Sequence, residues 1–381
     1  MSTEKKKVLV MTDWFAPGFK AGGPIRSCVN FAEHLKDDLD IYVLTTDRDL
    51  NETTPYKNIE QDKWIETPSG FHVFYASPEW LSFSSIKGMI RKIQPDIVYL
   101  NSMFSKYFSL YPLLAKKMNG SNARFILAPR GMLKSTAVQF KKKKKQFFLS
   151  SFRFAGLHRN IFFHCTDETE LQDVKKYFGD VPAMVLSNLP GHQAQLALPV
   201  EKLPGKLKLI FVGRLHPIKN LHLLLEALGS VKATIDLTIV ASMEDRAYWE
   251  KCEQFIKNLP PHIKVQWKGE LPHHQVEELV KEHHVFVLPT QGENFGHAIF
   301  EALAAGRPVI ISDQTPWRDL SRHKAGWDLD LGELGKFSTA IERFAGMSRE
   351  ELNEWCMGAW QFAHHYLENS NNKKRYLELF Q

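Results

Sequence analysis

Cysteine is scarce. The 381 residues hold four, Cys28, Cys165, Cys252 and Cys356, scattered and without a CxxC pair. That excludes a disulfide-stapled scaffold and predicts reduced thiols in the cytoplasm. Long apolar runs are also missing. The N-terminal run, Val8 to Met11, stops at Thr12 and Asp13. A signal peptide needs roughly 7–15 apolar residues and a spanning helix about 20, so neither is predicted. Acidic residues are absent between Asp96 and Asp167, where 13 Lys and Arg occur, five of them in the run Lys141 to Lys145. Residues 1–190 carry 27 basic and 19 acidic side chains, against 22 and 24 in residues 191–381. The first half therefore predicts a basic surface that faces something anionic.

What is present reads as two globular domains. A chain of this length accommodates two cores at roughly 100–200 residues per domain. A hydrophobic fraction of 44% with 24% charged residues excludes a disordered chain. Apolar, β-branched runs alternate with helical stretches: VLVM, LDIYVLTT, DIVYL, RFIL, IFFHC and AMVLSN in the first half, then LKLIFVG, TIDLTIVAS, IKVQW, VFVLPT and PVIIS in the second. Such alternation indicates buried parallel strands. The predicted fold class is α/β, with two doubly wound Rossmann-like domains facing a central cleft. The boundaries expected are residues 1–190, a Pro/Gly-rich linker at 191–205, a second domain at 206–360 and a C-terminal helix at 361–381 that packs back on the first domain.

Three segments carry candidate chemistry. GENFGHAIFEALAAG follows a strand and opens a helix, whose first-turn N–H groups and dipole suit a diphosphate. Its carboxylates, Glu293 and Glu301, would grip sugar-nucleotide hydroxyls; a helix cap and a surface carboxylate are the plainer reading of the same residues. FVGRLHPIKN places Arg214 and Lys219 after a strand, where they suit phosphate or form a solvated turn. PGFKAGGPIRS joins the first strand to the first helix, and Gly22-Gly23 permits close backbone approach to a ligand. It is not GxGxxG; Asp47 is the residue that could serve a dinucleotide ribose.

In this order the three segments resemble glycosyltransferase family 4, retaining enzymes with the GT-B fold, over nearly the whole chain. The resemblance implies that Glu293 holds donor-sugar hydroxyls and Glu301 the ribose. Arg214 and Lys219 would neutralise the leaving diphosphate, and Asn294, Phe295 and Gly296 would offer backbone N–H groups. Gly22 and Gly23 would face acceptor and diphosphate. Many members carry histidines where this chain has Arg130 and Asn101, so Arg130 is expected to bind an anionic or hydroxyl-rich group rather than act as a base. PRGML resembles a branch that builds bacterial surface polysaccharides.

The resemblance thus implies a metal-independent transferase without cofactor. Its partners would be a nucleoside diphosphate sugar, a glycan or lipid-linked acceptor, and an anionic inner-membrane surface; nucleic acid is not expected. A sugar-nucleotide epimerase and a non-catalytic nucleotide-sugar or lipid-binding protein are the alternatives. The DxD triplets at Asp38/Asp40 and Asp328/Asp330 and the paired histidines at His273, His283 and His364 lack metal-site context and read as surface or capping residues. Phe140, Phe147 and Phe148 fall on one helical face beside the lysine run. That face suits either a core or an anionic lipid surface.

Overall fold

A computed structural model of the chain describes residues 5–119, 122–134, 137–138, 142–191, 196–197 and 199–381. It forms two units, Met1–Leu189 with Asn371–Gln381, and Pro190–Ser370. Among the described residues no helix is long and apolar enough to cross a membrane.

The first unit is built on β1 (Lys6–Met11), β2 (Leu39–Thr46), β3 (Trp64–Glu66), β4 (His72–Ala76), β5 (Ile97–Leu100), β6 (Arg124–Leu127), β7 (Phe162–Cys165) and β8 (Ala183–Val185), in the order β3-β4-β2-β1-β5-β6-β7-β8. Only β3, against β4, runs antiparallel. The register sets Val10 of β1 between Val43 and Tyr99. All four residues of β5 are buried, as expected of a strand covered on both faces. The helix Gly23–Leu35 has Pro24 in its first turn and buries Ile25, Cys28, Phe31, Ala32 and Leu35. That spacing makes one stripe along a helix.

The chain's end completes this core. Tyr376, Leu379 and Phe380 are buried, with Phe380 5.1 Å from Tyr99 and Tyr376 5.9 Å from Phe31, centroid to centroid. Arg124 donates to the Leu379 carbonyl at 2.9 Å.

The second unit holds β9 (Lys206–Arg214), β10 (Thr234–Ser242), β11 (Ile263–Trp267), β12 (Val285–Leu288), β13 (Val309–Ser312) and β14 (Gly326–Leu329), all parallel, in the order β11-β10-β9-β12-β13-β14. Two expected boundaries change. The break at 360/361 falls inside the helix Arg349–Asn369, which starts at a Ser348/Glu351 capping box and buries Trp355, Cys356, Ala359 and Ala363 in the second unit. No capping or breaking residue stands at 360 to stop it. Of the stretch expected as a linker, the described residues 199–205 lie on the second unit: Lys202 Nζ donates to the carbonyls of Ala345 and Met347 at 2.7 and 3.0 Å, and Gly205 N–H to Ala345 at 2.8 Å.

The basic helix Lys142–Phe154 also differs from expectation. Phe148 turns inward onto Phe104, 5.4 Å between centroids, above buried Leu149 and Phe152. Phe147 and Phe154, seven residues apart, share the exposed face at 77% and 96% exposure, with Lys142, Lys143 and Lys144 exposed beside them. Phe140 and Lys141 lie outside the described residues.

In each sheet the chain works outward in both directions from one central pair, β1/β5 in the first unit and β9/β12 in the second. Open parallel sheets take ligands outside the carboxyl ends of such a pair.

Candidate active site

At the second unit's switch point, the loops after β9 and β12 are laced together. Gln291 donates its N–H to the Ile218 carbonyl at 2.7 Å and its side-chain amide to Asn220 Oδ1 at 3.1 Å. Thr290 Oγ1 donates to the same Ile218 carbonyl at 3.2 Å. This lacing brings Lys219 Nζ within 2.5 Å of Glu293 Oε1, with each side chain only 14% exposed. The two sequence-predicted residues therefore form one largely buried ion pair. Removing either would leave the other charge uncompensated, a change that typically costs about 3–5 kcal/mol in a buried pair.

Arg214, at the end of β9, donates from Nη1 to both carboxylate oxygens of Glu244, at 2.8 and 3.0 Å, in a more exposed position. Glu301 stands in the second turn of the helix His297–Ala304 and contacts His273 Nε2 at 2.9 Å; His273 Nδ1 lies 3.4 Å from Glu277. Both cations and both carboxylates singled out from the sequence thus carry a partner of complementary chemistry. Glu244 was not singled out, and His273 was read only as a surface or capping residue. The only sequence signals are an acidic pair directly after β10 and a histidine pair opening a helix.

The helix His297–Ala304 starts from Gly296 at φ 78°, a left-handed conformation suited to glycine. A Cβ there would meet Ile299 Cδ1 at 3.0 Å and Trp317 Nε1 at 3.3 Å. Trp317 Nε1 donates to the Phe295 carbonyl at 2.6 Å, and the Phe295 ring is buried against Trp317, 5.1 Å between centroids. The loop carrying Glu293 and Asn294 is thereby pinned at its end. The first-turn N–H groups of the helix have no acceptor within it, and the dipole makes that end electropositive.

In the first unit, Gly22 has φ 64°, and a Cβ added at Gly22 or Gly23 would meet nothing within 4 Å. The loop before them hangs on Asp49, which accepts from Phe19 and Lys20 N–H at 2.7 and 3.1 Å. Asp47 does not serve a ribose: its buried carboxylate is taken by Arg48 at 2.7 and 3.1 Å and by Gln61 at 2.8 Å.

Arg130 and Asn101 are brought together, but chiefly onto each other. Arg130 Nη2 donates to Asn101 Oδ1 at 2.7 Å and to the Tyr99 hydroxyl at 2.8 Å, Nε reaches Asn101 at 3.2 Å, and Nη1 bonds Asn188. Tyr99 donates on to His164 Nδ1 at 2.6 Å, and His164 Nε2 donates to the Leu186 carbonyl at 2.8 Å. The carbonyl can only accept, which assigns the tautomer. Burial, then the Arg130 charge, lowers the His164 pKa to about 3. Arg130 ties the ends of β5, β6 and β8 rather than standing open to a ligand.

Three of the four aspartates of the DxD triplets serve turns and ion pairs. Asp328 Oδ1 accepts from Leu320 N–H at 3.1 Å, Asp330 from Gly332 N–H at 2.7 Å, and Asp38 pairs with Lys373 at 2.9 Å. Among the described residues, no three His, Cys, Asp or Glu side chains gather as a metal site.

The family model described as glycosyl transferases group 1 matches residues 198–353. The O-antigen chain mannosyltransferase RfbU of Salmonella typhimurium is 25% identical over 142 residues, 35% of this chain and 40% of that one. The chain spans between about a fifth and two fifths of the length of the curated relatives it matches. Among solved structures, Anabaena HepE in complex with UDP and glucose aligns with TM-score 0.71 and 15% identity, covering 98% of this chain and 99% of that one. WaaG, a glycosyltransferase involved in lipopolysaccharide biosynthesis, aligns with TM-score 0.61 and 13% identity over 98% and 99% of the two chains. The chain has the GT-B fold, and the match to the glycosyl transferases group 1 model falls on the unit that carries the Lys219–Glu293 pair.

Proposed function

We propose that the chain is a retaining, metal-independent glycosyltransferase of family 4 that needs no cofactor. It moves a sugar from a nucleoside diphosphate sugar to a hydroxyl of a growing, lipid-linked surface glycan at the inner face of the membrane. The observation that carries this reading is the Lys219–Glu293 pair at the second unit's switch point, beside a helix N-terminus. Without ligand the pair's charges cancel. A diphosphate at the helix N-terminus would draw Lys219 away, and Arg214 from Glu244, leaving Glu293 to accept hydrogen bonds from sugar hydroxyls. Glu301, oriented by His273, would hold the ribose. The HepE complex with UDP and glucose supports a uridine nucleotide as the first donor to try.

In the reaction the bond from the anomeric carbon to the diphosphate oxygen breaks, and a bond to the acceptor oxygen forms on the same face. The acceptor proton passes to the leaving diphosphate. Arg214, Lys219 and the helix N-terminus stabilise the charge that develops there, so the chain itself supplies the positive potential. O-antigen and lipopolysaccharide relatives support a surface glycan as acceptor.

A thermal-shift screen against nucleoside diphosphate sugars tests the donor assignment. A cognate donor at 100 times its dissociation constant should stabilise the protein by about 2.7 kcal/mol. Calorimetry with UDP should then show weakened binding for Glu301→Ala and no weakening for Glu293→Ala, whose contacts are to the sugar and whose loss releases Lys219 to the phosphate. Equal losses in both variants would reject the division of roles, and no response to any nucleotide sugar would reject the function.

A further inference from the structure

The two ion pairs at the second unit's switch point are not alike. Lys219 and Glu293 are largely buried, whereas the Arg214 and Glu244 side chains are 40% and 31% exposed. Glu293 has a part in the donor chemistry as a partner for sugar hydroxyls. Glu244 has none, and it stands beside a phosphate-binding cation, where a carboxylate repels phosphate.

The place of Glu244 is built in. Ser242, the last residue of β10, lies opposite Arg214, the last of β9. Beyond them the two loops stay stitched. Leu215 N–H donates to the Ser242 carbonyl at 2.9 Å, and Asp245 N–H donates back to the Leu215 carbonyl at 3.0 Å. Asp245 then caps the helix Arg246–Lys257, its Oδ1 accepting the Tyr248 N–H at 3.0 Å. The short segment that carries Glu244 is therefore anchored at both ends. When Arg214 lets go, the carboxylate stays within reach of the guanidinium. An exposed pair of this kind is weak, so it opens and closes readily.

The reaction's own product gives such a competitor a use. The diphosphate of a nucleoside diphosphate sugar is esterified at both ends and carries about two negative charges. Transfer frees one end. Once the proton taken from the acceptor has dissociated, with a pKa of about 6, the nucleoside diphosphate carries about three. A site of bare cations would therefore hold its product more tightly than its substrate. A carboxylate that retakes one cation as the phosphate moves off opposes that retention. We infer that Glu244 is a positioning residue whose charge recaptures Arg214 and so promotes release of the nucleoside diphosphate product. This rests on the glycosyltransferase reading above. Glu244 acts through Arg214 and touches neither sugar nor nucleotide.

The test is calorimetry and stopped-flow displacement on the full chain, with whichever of UDP, GDP, ADP, CDP and dTDP binds the wild type most tightly. Glu244→Gln keeps the side chain's size and removes its charge. It should bind that nucleotide two- to fivefold more tightly and release it more slowly by a similar factor, with the melting temperature unchanged. Glu244→Asp, which keeps the charge, should lie closer to wild type. In an Arg214→Ala background, Glu244→Gln should change the affinity by less than 1.5-fold. Tightening below twofold in the single variant overturns the inference. Weakened binding overturns it too, because Glu244 would then be holding Arg214 in place for the phosphate. Equal tightening with and without Arg214 also overturns it, since that marks repulsion of the nucleotide by Glu244 itself. A wild type that binds none of the five nucleotides overturns the donor reading and this inference with it; nucleotide binding with an unresponsive Glu244→Gln overturns this inference alone.

Discussion

Lys219 and Glu293 are 74 positions apart, and each is fixed by the other before any ligand arrives. Motif spacing pointed to both residues, because a strand–loop–helix transition needs particular glycines and polar groups at fixed offsets. Their pairing was not legible, since it depends on β9 and β12 being neighbours. The same holds for Glu244 on Arg214 and His273 on Glu301. Histidines show the converse error. His284 reads as a surface residue, yet it is buried in the second unit, where Nδ1 accepts from Lys208 N–H and Nε2 donates to the Glu201 carbonyl, both at 2.9 Å. Acceptance at Nδ1 requires the neutral ring.

Burial above all lowers the His284 pKa to about 4, against about 6.5 in the unfolded chain. Between those values the unfolded state binds the proton and the folded state does not. The stabilisation is therefore complete above pH ~6.5 and declines as pH falls towards 4, by on the order of 3 kcal/mol at about 1.4 kcal/mol per unit. Urea unfolding of wild type and His284→Gln at pH 7.5 and pH 4 checks this. The stability advantage of wild type should shrink by that amount at the lower pH, and an advantage independent of pH would count against it.

At the scale of elements, the strands that could be read were those with continuous apolar runs, such as β5 and β12, buried at every position. Three were missed. β3 has three residues, with none buried, β4 follows it as its antiparallel partner, and β14 (GWDL) overlaps the Asp328 triplet. β3 and β14 are short edge strands, which lack the run length that separates strand from loop; β4 lies inside the sheet, but its run HVFYA is only five residues long and opens on a histidine.

The helix Lys142–Phe154 was visible as basic and aromatic, but which phenylalanines face outward depends on Phe104, far off in sequence. The exposed face joins Phe147 and Phe154 to a lysine cluster. Each Lys near an anionic leaflet contributes about 1 kcal/mol before screening, and apolar side chains add insertion. Sedimentation with phosphatidylglycerol-containing vesicles should show salt-sensitive binding, with little binding to phosphatidylcholine alone. Replacing Lys142 to Lys145 with Gln, or Phe147 and Phe154 with Ser, should weaken binding at least several-fold without altering UDP affinity. Indifference of the wild type to anionic vesicles at low salt would make this face an ordinary solvated one.

For the whole molecule, the doubling of the α/β pattern and the charge asymmetry were legible because both are properties of composition and period. The division of the chain was only partly so. Helix Arg349–Asn369 continues past the expected boundary because its stop depends on where its buried stripe runs out, and the last residues join the first unit through Tyr376 and Phe380. Sheet order then determines the chemistry. It selects one strand pair in each unit, and at the second unit's pair the chain sets Lys219 against Glu293 and Arg214 against Glu244.

Proton NMR of the glycoside formed from an α-linked nucleoside diphosphate sugar tests the proposed reaction most directly, with wild type and Lys219→Ala run in parallel. Wild type should give an α-glycoside. Lys219→Ala should give the same product between 10 and about 1,000 times more slowly, equivalent to roughly 1.4–4 kcal/mol of barrier. A β-glycoside, or an undiminished rate in Lys219→Ala, would contradict it.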